Sequence, residues 1–276
     1  MQLKTIITLL SISAIGICNA QDSLHYKNTY QVNWGLSTLN RQDILISPFA
    51  FSDVSIGNFG IKYRRDAKLW QEFSLTYNTF NTINGESFEY YNSDSTIAET
   101  YPSYHTYVNL DYYLGKELYQ SEKIKYLAGG RFSNNIDASS INYGGSGGFV
   151  YFANFGIDIW GAMQYQFDEK NGVYLRLGLP LFSWVARSPY LLNDDEFIEN
   201  ISSHKSLNTF FAYLGDGNLA TWNTIQSLDL LAEYNYHFYD QWVVGFAYGF
   251  NFLHYSKPLP LTSYENRITL TINYSF

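Results

Sequence analysis

Residues 266–276 alternate strictly between polar and apolar side chains. The apolar members are Ile268, Leu270, Ile272, Tyr274 and Phe276, so the final residue of the chain is one of them. A period of two gives a β-strand one apolar face and one polar face. A soluble domain seldom ends with its last aromatic residue on the apolar side of a strand, whereas a β-barrel of the bacterial outer membrane closes with such a strand. This pattern predicts an amphipathic, lipid-facing strand at the C-terminus.

The other end of the chain has the pattern of a secretory signal peptide. Lys4 precedes an apolar stretch, residues 6–17, and the small-residue site Cys18-Asn19-Ala20 follows directly before Gln21. Such a segment is removed from the mature protein. We therefore assign residues 1–20 to a signal peptide and 21–276 to one domain. Since the chain has one cysteine and it lies in the signal, no disulfide, thiolate metal site or cofactor is predicted.

The composition argues against a helical membrane protein. After the signal there is no run of roughly 18 apolar residues, which a membrane-spanning helix would need. Yet 46% of the residues are apolar, 19% are aromatic and only 15% are charged. Aromatic side chains suit strands and the membrane–water interface. The formal net charge of −8 makes a polyanion such as nucleic acid an unfavourable partner.

Further segments share the period of two, and together they suggest ten strands. They are residues 30–37, 58–63, 72–78, 105–114, 124–132, 149–167, 175–181, 227–236, 244–252 and 266–276. A tilted strand needs only about nine to eleven residues to cross lipid. The sixth segment, 149–167, is therefore expected to project beyond the membrane.

The connections between these segments alternate in length. The long ones are residues 37–53, 81–103, 137–148, 188–224 and 256–266, and the short ones are 65–69, 115–123, 168–172 and 237–241. Outer-membrane barrels have short periplasmic turns and longer external loops, whereas a secreted sandwich would not predict this asymmetry. The predicted fold is all-β, a closed antiparallel transmembrane β-barrel of ten strands in the cell outer membrane. Twelve strands, using parts of 81–103 and 188–224, is the alternative. The pair Asn171-Gly172 favours a tight hairpin in one short turn.

The chain resembles outer-membrane β-barrel proteins of Bacteroidota. The resemblance rests on the signal ending before Gln21, on the terminal strand ITLTINYSF, and on the segments Ile46-Ser47-Pro48-Phe49 and Ala186-Arg187-Ser188-Pro189-Tyr190. It covers nearly the whole mature chain. It implies the barrel architecture and brings no particular activity with it.

Charged side chains on the polar faces are candidates for lining the barrel lumen. Pairing the strands so that their apolar faces coincide places Lys62 opposite Glu72, Glu233 opposite Gly245 and Asp229 opposite Gly249. Two arrangements remain open, a salt-bridged closed interior or a narrow water-filled path. The candidate lumen residues are Lys62, Glu72, Asp111, Arg131, Asp158, Arg176, Asp229, Glu233 and Arg267.

Three further patterns would point to an enzyme or a metal site. Ser103 and His105 lie on the same side of one strand, where a histidine can activate a serine. The alternative of an outer-membrane protease would use His254 and the acids Asp194, Asp195, Glu196 and Asp216 at the outer mouth. The acidic run 194–199 could attract Ca²⁺, but its spacing is that of a solvated acidic face.

Three functional classes follow from the sequence. The first is a barrel without catalysis, structural or engaged in surface interactions, whose partner contacts loops 81–103 and 188–224. The second is a narrow channel for small polar solutes, and the third is a hydrolase that cleaves lipid or peptide. The expected partners are outer-membrane lipid and the barrel assembly machinery, which would recognise a C-terminal signal formed by Ile272, Tyr274 and Phe276.

Overall fold

A computed structural model of the chain describes residues 27–82, 89–91, 95–99, 102–143, 146–188, 211–212 and 214–276. The predicted signal peptide, residues 1–20, lies outside this described part. Among the described residues no helix is long and apolar enough to cross a membrane. The strands are β1 (Lys27–Asp43), β2 (Ala50–Asp66), β3 (Trp70–Thr82), β4 (Glu89–Tyr91), β5 (Ile97–Glu99), β6 (Ser103–Gln120), β7 (Ile124–Tyr143), β8 (Ser146–Gln166), β9 (Asn171–Arg187), β10 (Asn218–Thr221), β11 (Ile225–His237), β12 (Trp242–Tyr255) and β13 (Leu261–Ser275).

Ten of these strands form a closed antiparallel barrel. The first strand pairs with the last, from Thr29 opposite Ser275 to Asp43 opposite Leu261. β8 pairs with β9 and β9 with β11, which completes the ring. Each of these ten strands therefore pairs with a neighbour on both sides, as hydrocarbon requires. β4 and β5 form a separate two-stranded sheet, so the ten-strand prediction is confirmed over the twelve-strand alternative.

The place beside β9 in the barrel wall is taken by two strands, β11 along the first part of β9 and β10 along its last part. β9 pairs with β11 up to Gly178 and with the short β10 from Phe182 to Val185. Between these two pairings lies Pro180, which has no N–H to donate to a ladder, and the β8–β9 register shifts at the same height. A turn in which the Thr224 N–H donates to the Thr221 carbonyl at 2.8 Å joins β10 to β11.

The two faces of the wall are the inverse of those of a soluble barrel. The outward side chains are apolar and exposed; Leu270, for example, is 59% exposed. The inward side chains include many buried charged groups, among them Glu72 at 0% exposure. Large exposed apolar surfaces are stable against lipid, not against water. The architecture is therefore that of a membrane-spanning barrel, the form that outer-membrane proteins take.

The strands extend further than the alternation of the sequence indicates. β7 has 20 residues and β8 has 21, about twice the length needed to cross lipid, so the predicted projection is confirmed. The predicted long connections 37–53, 137–148 and 256–266 are wrong, because β1, β7 and β13 continue into them. Beyond the lipid an outward side chain need not be apolar. The period of two therefore fades from the sequence while the hydrogen-bonded ladder continues.

The turn between β8 and β9 is built on an aspartate. Asp168 accepts hydrogen bonds from the backbone N–H groups of Lys170 (2.8 Å) and Asn171 (2.9 Å). The Lys170 N–H and the side-chain amide of Asn171 hold the pKa of this carboxyl below its usual range. Asn171 and Gly172 belong to β9 itself. The short turn predicted at 168–172 is confirmed as a tight hairpin, but the Asn-Gly pair does not form its centre.

Gly35 gives a first testable prediction, because β1 approaches β13 closely at this residue. A Cβ added to Gly35 would overlap the Ile268 carbonyl oxygen and lie 2.7 Å from the Thr269 Cα, both backbone atoms. Gly35→Ala should therefore lower the free energy of unfolding by about 1–3 kcal/mol through overpacking. Urea unfolding in lipid vesicles measures this change. Gly57→Ala is the matched control, since its Cβ meets nothing closer than 3.4 Å; equal costs at both positions would contradict the prediction.

Candidate functional site in the barrel lumen

The nine charged residues of the sequence analysis all project into the barrel. Seven of them are buried: Lys62, Glu72, Arg131, Asp158, Arg176, Asp229 and Glu233. Asp111 and Arg267 are partly exposed to internal cavities. The structure thus brings all nine into the lumen, where eight of them form ion pairs and Asp111 lines two cavities.

The predicted pairing of Lys62 with Glu72 is wrong by two residues. Lys62 lies opposite Ser74, and Arg64 lies opposite Glu72. Both registers keep the apolar faces of β2 and β3 together, because a shift of two residues preserves the side of every side chain. Alternation alone could not distinguish them.

The same two-residue error affects β11 and β12. Glu233 lies opposite Ala247 instead of Gly245, and Asp229 lies opposite Asn251 instead of Gly249. The two acids therefore do not face a wall without side chains. Asp229 accepts a hydrogen bond from the Asn251 amide at 3.5 Å.

Glu72 is the centre of the network nearer the start of β1 and the end of β13. Its Oε2 accepts hydrogen bonds from Arg64 Nη2 at 2.7 Å and Nε at 3.0 Å, and its Oε1 accepts from Arg176 Nη1 at 2.7 Å. The Arg176 guanidinium carbon lies 4.0 Å from the centroid of the Tyr113 ring. One buried carboxylate thus bridges two arginines, and an aromatic ring supports the second through a cation–π contact.

Glu233, on the opposite wall, makes a separate set of contacts. Its Oε1 accepts from the Gln31 side-chain amide at 3.3 Å, and its Oε2 lies 3.8 Å from the Lys62 ammonium. Sequence reasoning missed Gln31 and Arg64. Their inward positions on strands β1 and β2 are the signal that could have identified both.

The second network lies deeper in the lumen around Arg131. Its Nε donates to Asp158 Oδ2 at 2.7 Å, and its Nη1 donates to the Tyr113 hydroxyl at 3.1 Å and lies 3.4 Å from Asp229 Oδ1. Arg267 Nη2 lies 3.9 Å from Asp229 Oδ2. Asp229 is thereby shared between two arginines from different strands.

A further charged cluster occupies the end of the barrel away from the start of β1 and the end of β13, here called the outer end. Arg41 pairs with Asp137 and with Asp43 Oδ2 at 3.1 Å. Arg187 pairs with Asp43 and donates to the Lys257 carbonyl at 2.7 Å, which ties the β12–β13 turn to β9. Sequence reasoning missed most of this cluster because Arg41, Asp43 and Asp137 fall in segments predicted as loops.

Apolar and aromatic side chains fill the lumen on either side of these charges. A cluster toward the termini consists of Trp70, Tyr113, Leu127, Trp160, Ala162 and Tyr174. Clusters toward the outer end consist of Phe152, Val185, Ala220, Ile225, Tyr255 and Leu261, and of Ile46, Phe51, Ile141 and Val150. Asp111, Asp229 and Arg267 line two cavities of about 60 Å³ each. Volumes of this size hold only a few water molecules.

The predicted Ser103–His105 pair is not formed. His105 is 0% exposed, its Nδ1 lies 2.7 Å from the Ser139 hydroxyl, and its Nε2 lies 3.0 Å from the Thr82 hydroxyl. The Ser103 hydroxyl accepts a hydrogen bond from the Asn142 N–H at 3.1 Å. Both imidazole nitrogens are engaged away from Ser103, so the histidine cannot activate it.

The protease and calcium patterns are not assembled in the described residues. His254 Nδ1 lies 2.9 Å from the Thr262 hydroxyl, and Asp216 is exposed. Residues 194–199 lie outside the described part of the chain. Within that part, no group of three or more His, Cys, Asp or Glu side chains could hold a metal ion.

Comparison with solved structures finds outer-membrane barrels. The outer membrane protease OmpT from Escherichia coli is similar with a TM-score of 0.57 and 8% identity, over 94% of this chain and 99% of that one. The Neisserial surface protein A has a TM-score of 0.37 and 10% identity, and the match covers 90% of this chain and 97% of that one. The attachment invasion locus protein Ail of Yersinia pestis has a TM-score of 0.31 and 9% identity, and the match covers 91% of this chain and 100% of that one. No family model and no curated protein sequence matches the chain. The likeness to OmpT shows a shared fold.

Proposed function

We propose that this protein is an outer-membrane barrel with a closed lumen, which acts through its external surface and not by transport or catalysis. The observation that carries the proposal is the filled interior. Glu72 binds Arg64 and Arg176, Arg131 binds Asp158, and rings pack beside both groups. A pore that passes solutes instead keeps water beside its lining charges.

The surface role is proposed for the loops at the outer end. An even strand number puts both termini in the periplasm, so the described residues of loops 81–103 and 188–224 lie at the outer end. Several described residues there have exposed apolar side chains, including Tyr91, Ile97, Leu219 and Trp222. Such groups suit contact with a protein or glycan partner.

The C-terminal strand supports a second proposed interaction, with the barrel assembly machinery. Ile272, Tyr274 and Phe276 form one outward row, and the Phe276 ring stacks on Tyr30 with centroids 5.4 Å apart. Before β1 pairs with β13, both this row and the backbone edge of β13 are accessible to a recognition partner. Phe276→Ser should therefore slow insertion more than it weakens the inserted barrel.

Conductance of the purified protein tests the closed lumen. Wild-type protein in a planar lipid bilayer should give no steady ohmic current at either polarity, because the paired charges and rings block the path. A porin inserted in the same bilayer is the positive control. A steady current from the wild type would overturn the proposal.

The narrow channel is a second candidate, supported by two cavities that share Asp111, Asp229 and Arg267 in their linings. If a current is found, Asp229→Asn should lower its cation preference, since selectivity follows lining charge. An unchanged preference would place the conducting path elsewhere.

A further inference from the structure

One inward row of side chains crosses four neighbouring strands of the barrel and contains a glycine. Asp111 of β6 lies opposite Ser133 of β7, which in turn lies opposite Gly156 of β8. Gly156 lies opposite Ser183 of β9. Residues directly opposite each other in an antiparallel pair hold their side chains side by side on one face. Gly156 therefore leaves space in the lumen wall between two serine hydroxyls, and this space is named the Gly156 notch.

Oxygen atoms from three strands converge on the Gly156 notch. A Cβ at Gly156 would lie 2.7 Å from Ser183 Oγ, 2.9 Å from Ser133 Oγ and 3.2 Å from Asp158 Oδ1. All three of these side chains are buried. Asp158 uses its other oxygen, Oδ2, to bind Arg131 at 2.7 Å, so Oδ1 is the oxygen that faces the notch. The notch thus combines one carboxylate oxygen with two hydroxyls.

Two buried oxygens at the notch have no hydrogen-bond partner among the described residues. One is Ser183 Oγ, and the other is Oδ1 of Asn154. Asn154 is the inward residue that precedes Gly156 on β8, and it is 4% exposed. Buried polar atoms in native proteins are nearly always satisfied, because an unsatisfied one costs free energy. These two oxygens indicate that a species with affinity for oxygen occupies the notch in the folded protein.

The balance of lumen charges gives the sign of that species. The contacts of Glu72 and Glu233 involve three cations and two carboxylates. The network around Arg131 contains two arginines and four carboxylates, when Asp111 and Glu265 of the same cavity lining are included. The cluster at the outer end has two arginines and two aspartates. Together these groups have one carboxylate more than cations, so one monovalent cation would make them neutral.

The unmatched carboxylate lies beside the notch. Glu265 accepts a hydrogen bond from the Asn78 amide at 3.1 Å. Asp111 forms neither a hydrogen bond nor a direct ion pair with a described residue, and it is the neighbour of Ser133 in the inward row. Ser133, like Asp111, lines the cavity of about 60 Å³. The excess negative charge is therefore next to the oxygens that converge on Gly156.

We propose that the Gly156 notch binds a small monovalent metal cation, for which sodium is the probe. Carboxylate, amide and hydroxyl oxygens are the ligands that hard cations take in proteins. Asp158, Asn154 and the two serines supply these oxygens, and Asp111 supplies the balancing charge. A site made largely of neutral oxygens does not need the three clustered acidic or histidine side chains typical of a divalent metal. Such an ion would stabilise the closed lumen and requires no conducting path.

Urea unfolding of the full-length barrel in zwitterionic lipid vesicles tests the proposal. Sodium chloride is exchanged for tetramethylammonium chloride at constant total concentration, since this larger cation cannot enter the notch. An ion bound only by the folded state stabilises that state by mass action. Each tenfold rise in sodium above its dissociation constant should therefore raise the ratio of folded to unfolded protein about tenfold. A ratio that does not change when the salts are exchanged would overturn the proposal.

A pair of glycine variants locates the ion. Gly156→Ala places a methyl group among the converging oxygens, so the sodium dependence of the folded-to-unfolded ratio should disappear. Gly161→Ala is the same exchange on the same strand, and its Cβ would meet only the Leu127 carbonyl oxygen at 3.9 Å; it should keep the sodium dependence. The readout is this dependence and not the stability itself, so any packing cost of the methyl group does not affect it. Full sodium dependence in folded Gly156→Ala would overturn the assignment to the notch.

Two further variants test the ligands even if Gly156→Ala does not fold. Ser183→Ala removes one converging oxygen and should weaken sodium binding about tenfold, the loss of roughly one polar contact. Asp111→Asn removes the unmatched charge and should weaken sodium binding at least as much. Folding of each variant is checked by heat-dependent gel mobility. Wild-type sodium affinity in both folded variants would overturn the proposal.

Discussion

Replacing Glu72 by glutamine is expected to lower the free energy of unfolding by about 3–5 kcal/mol, the cost of leaving a buried charge without its partner. Glu72 is fully buried and is the carboxylate that binds both Arg64 and Arg176. The neutral amide keeps the shape of the side chain but not its charge. The measurement is urea unfolding in lipid vesicles, followed by tryptophan fluorescence. Glu122→Gln, in the exposed β6–β7 turn, should change stability little.

A double-mutant cycle separates the ion pair from simple packing. Arg176→Met in the Glu72→Gln background removes one of the two unbalanced cations, so the double variant should be more stable than the sum of the single effects predicts. Additive costs would mean that Glu72 and Arg176 do not act as a pair. That outcome would also weaken the closed-lumen proposal, which rests on these contacts.

Leu270→Arg has the second largest expected effect. Leu270 lies at the middle of the outward row of β13, between Trp34 of β1 and Phe246 of β12. A surface substitution in a soluble protein usually changes stability by no more than about 0.5 kcal/mol. An arginine at the midplane of a lipid-facing strand costs about 2–4 kcal/mol. The exposed position therefore becomes one of the most sensitive in the chain.

The control for this prediction is Tyr239→Arg, in the β11–β12 turn, where the tyrosine is 71% exposed. This residue faces water at the periplasmic rim, so its replacement should cost little. Unfolding is measured in vesicles for both variants. Near-zero costs at both positions would show that the outer face of the barrel is not in lipid.

The alternation of polar and apolar residues was sufficient to predict the membrane-spanning part of each strand. Tyr30, Val32, Trp34 and Leu36 project outward in β1, as the period of two predicts, because the side of a strand on which a residue lies is a property of the strand itself. For the same reason the nine lumen residues could be placed inside without knowledge of their partners. The strand count followed from repeated amphipathic segments and short turns.

The arrangement of charges inside the barrel was decided by the tertiary structure. Which carboxylate meets which arginine depends on the register of paired strands, and shifts of two residues leave every face unchanged. Arg64 therefore takes the place predicted for Lys62 opposite Glu72, because the turn geometry and not the alternation selects the register. Arg41 and Asp137 meet only because their strands continue beyond the lipid. There the outward side chains face water and the pattern that identifies a strand disappears. The sequence by itself determined which side chains face lipid and which face the lumen, and closure of the barrel determined how the lumen charges pair.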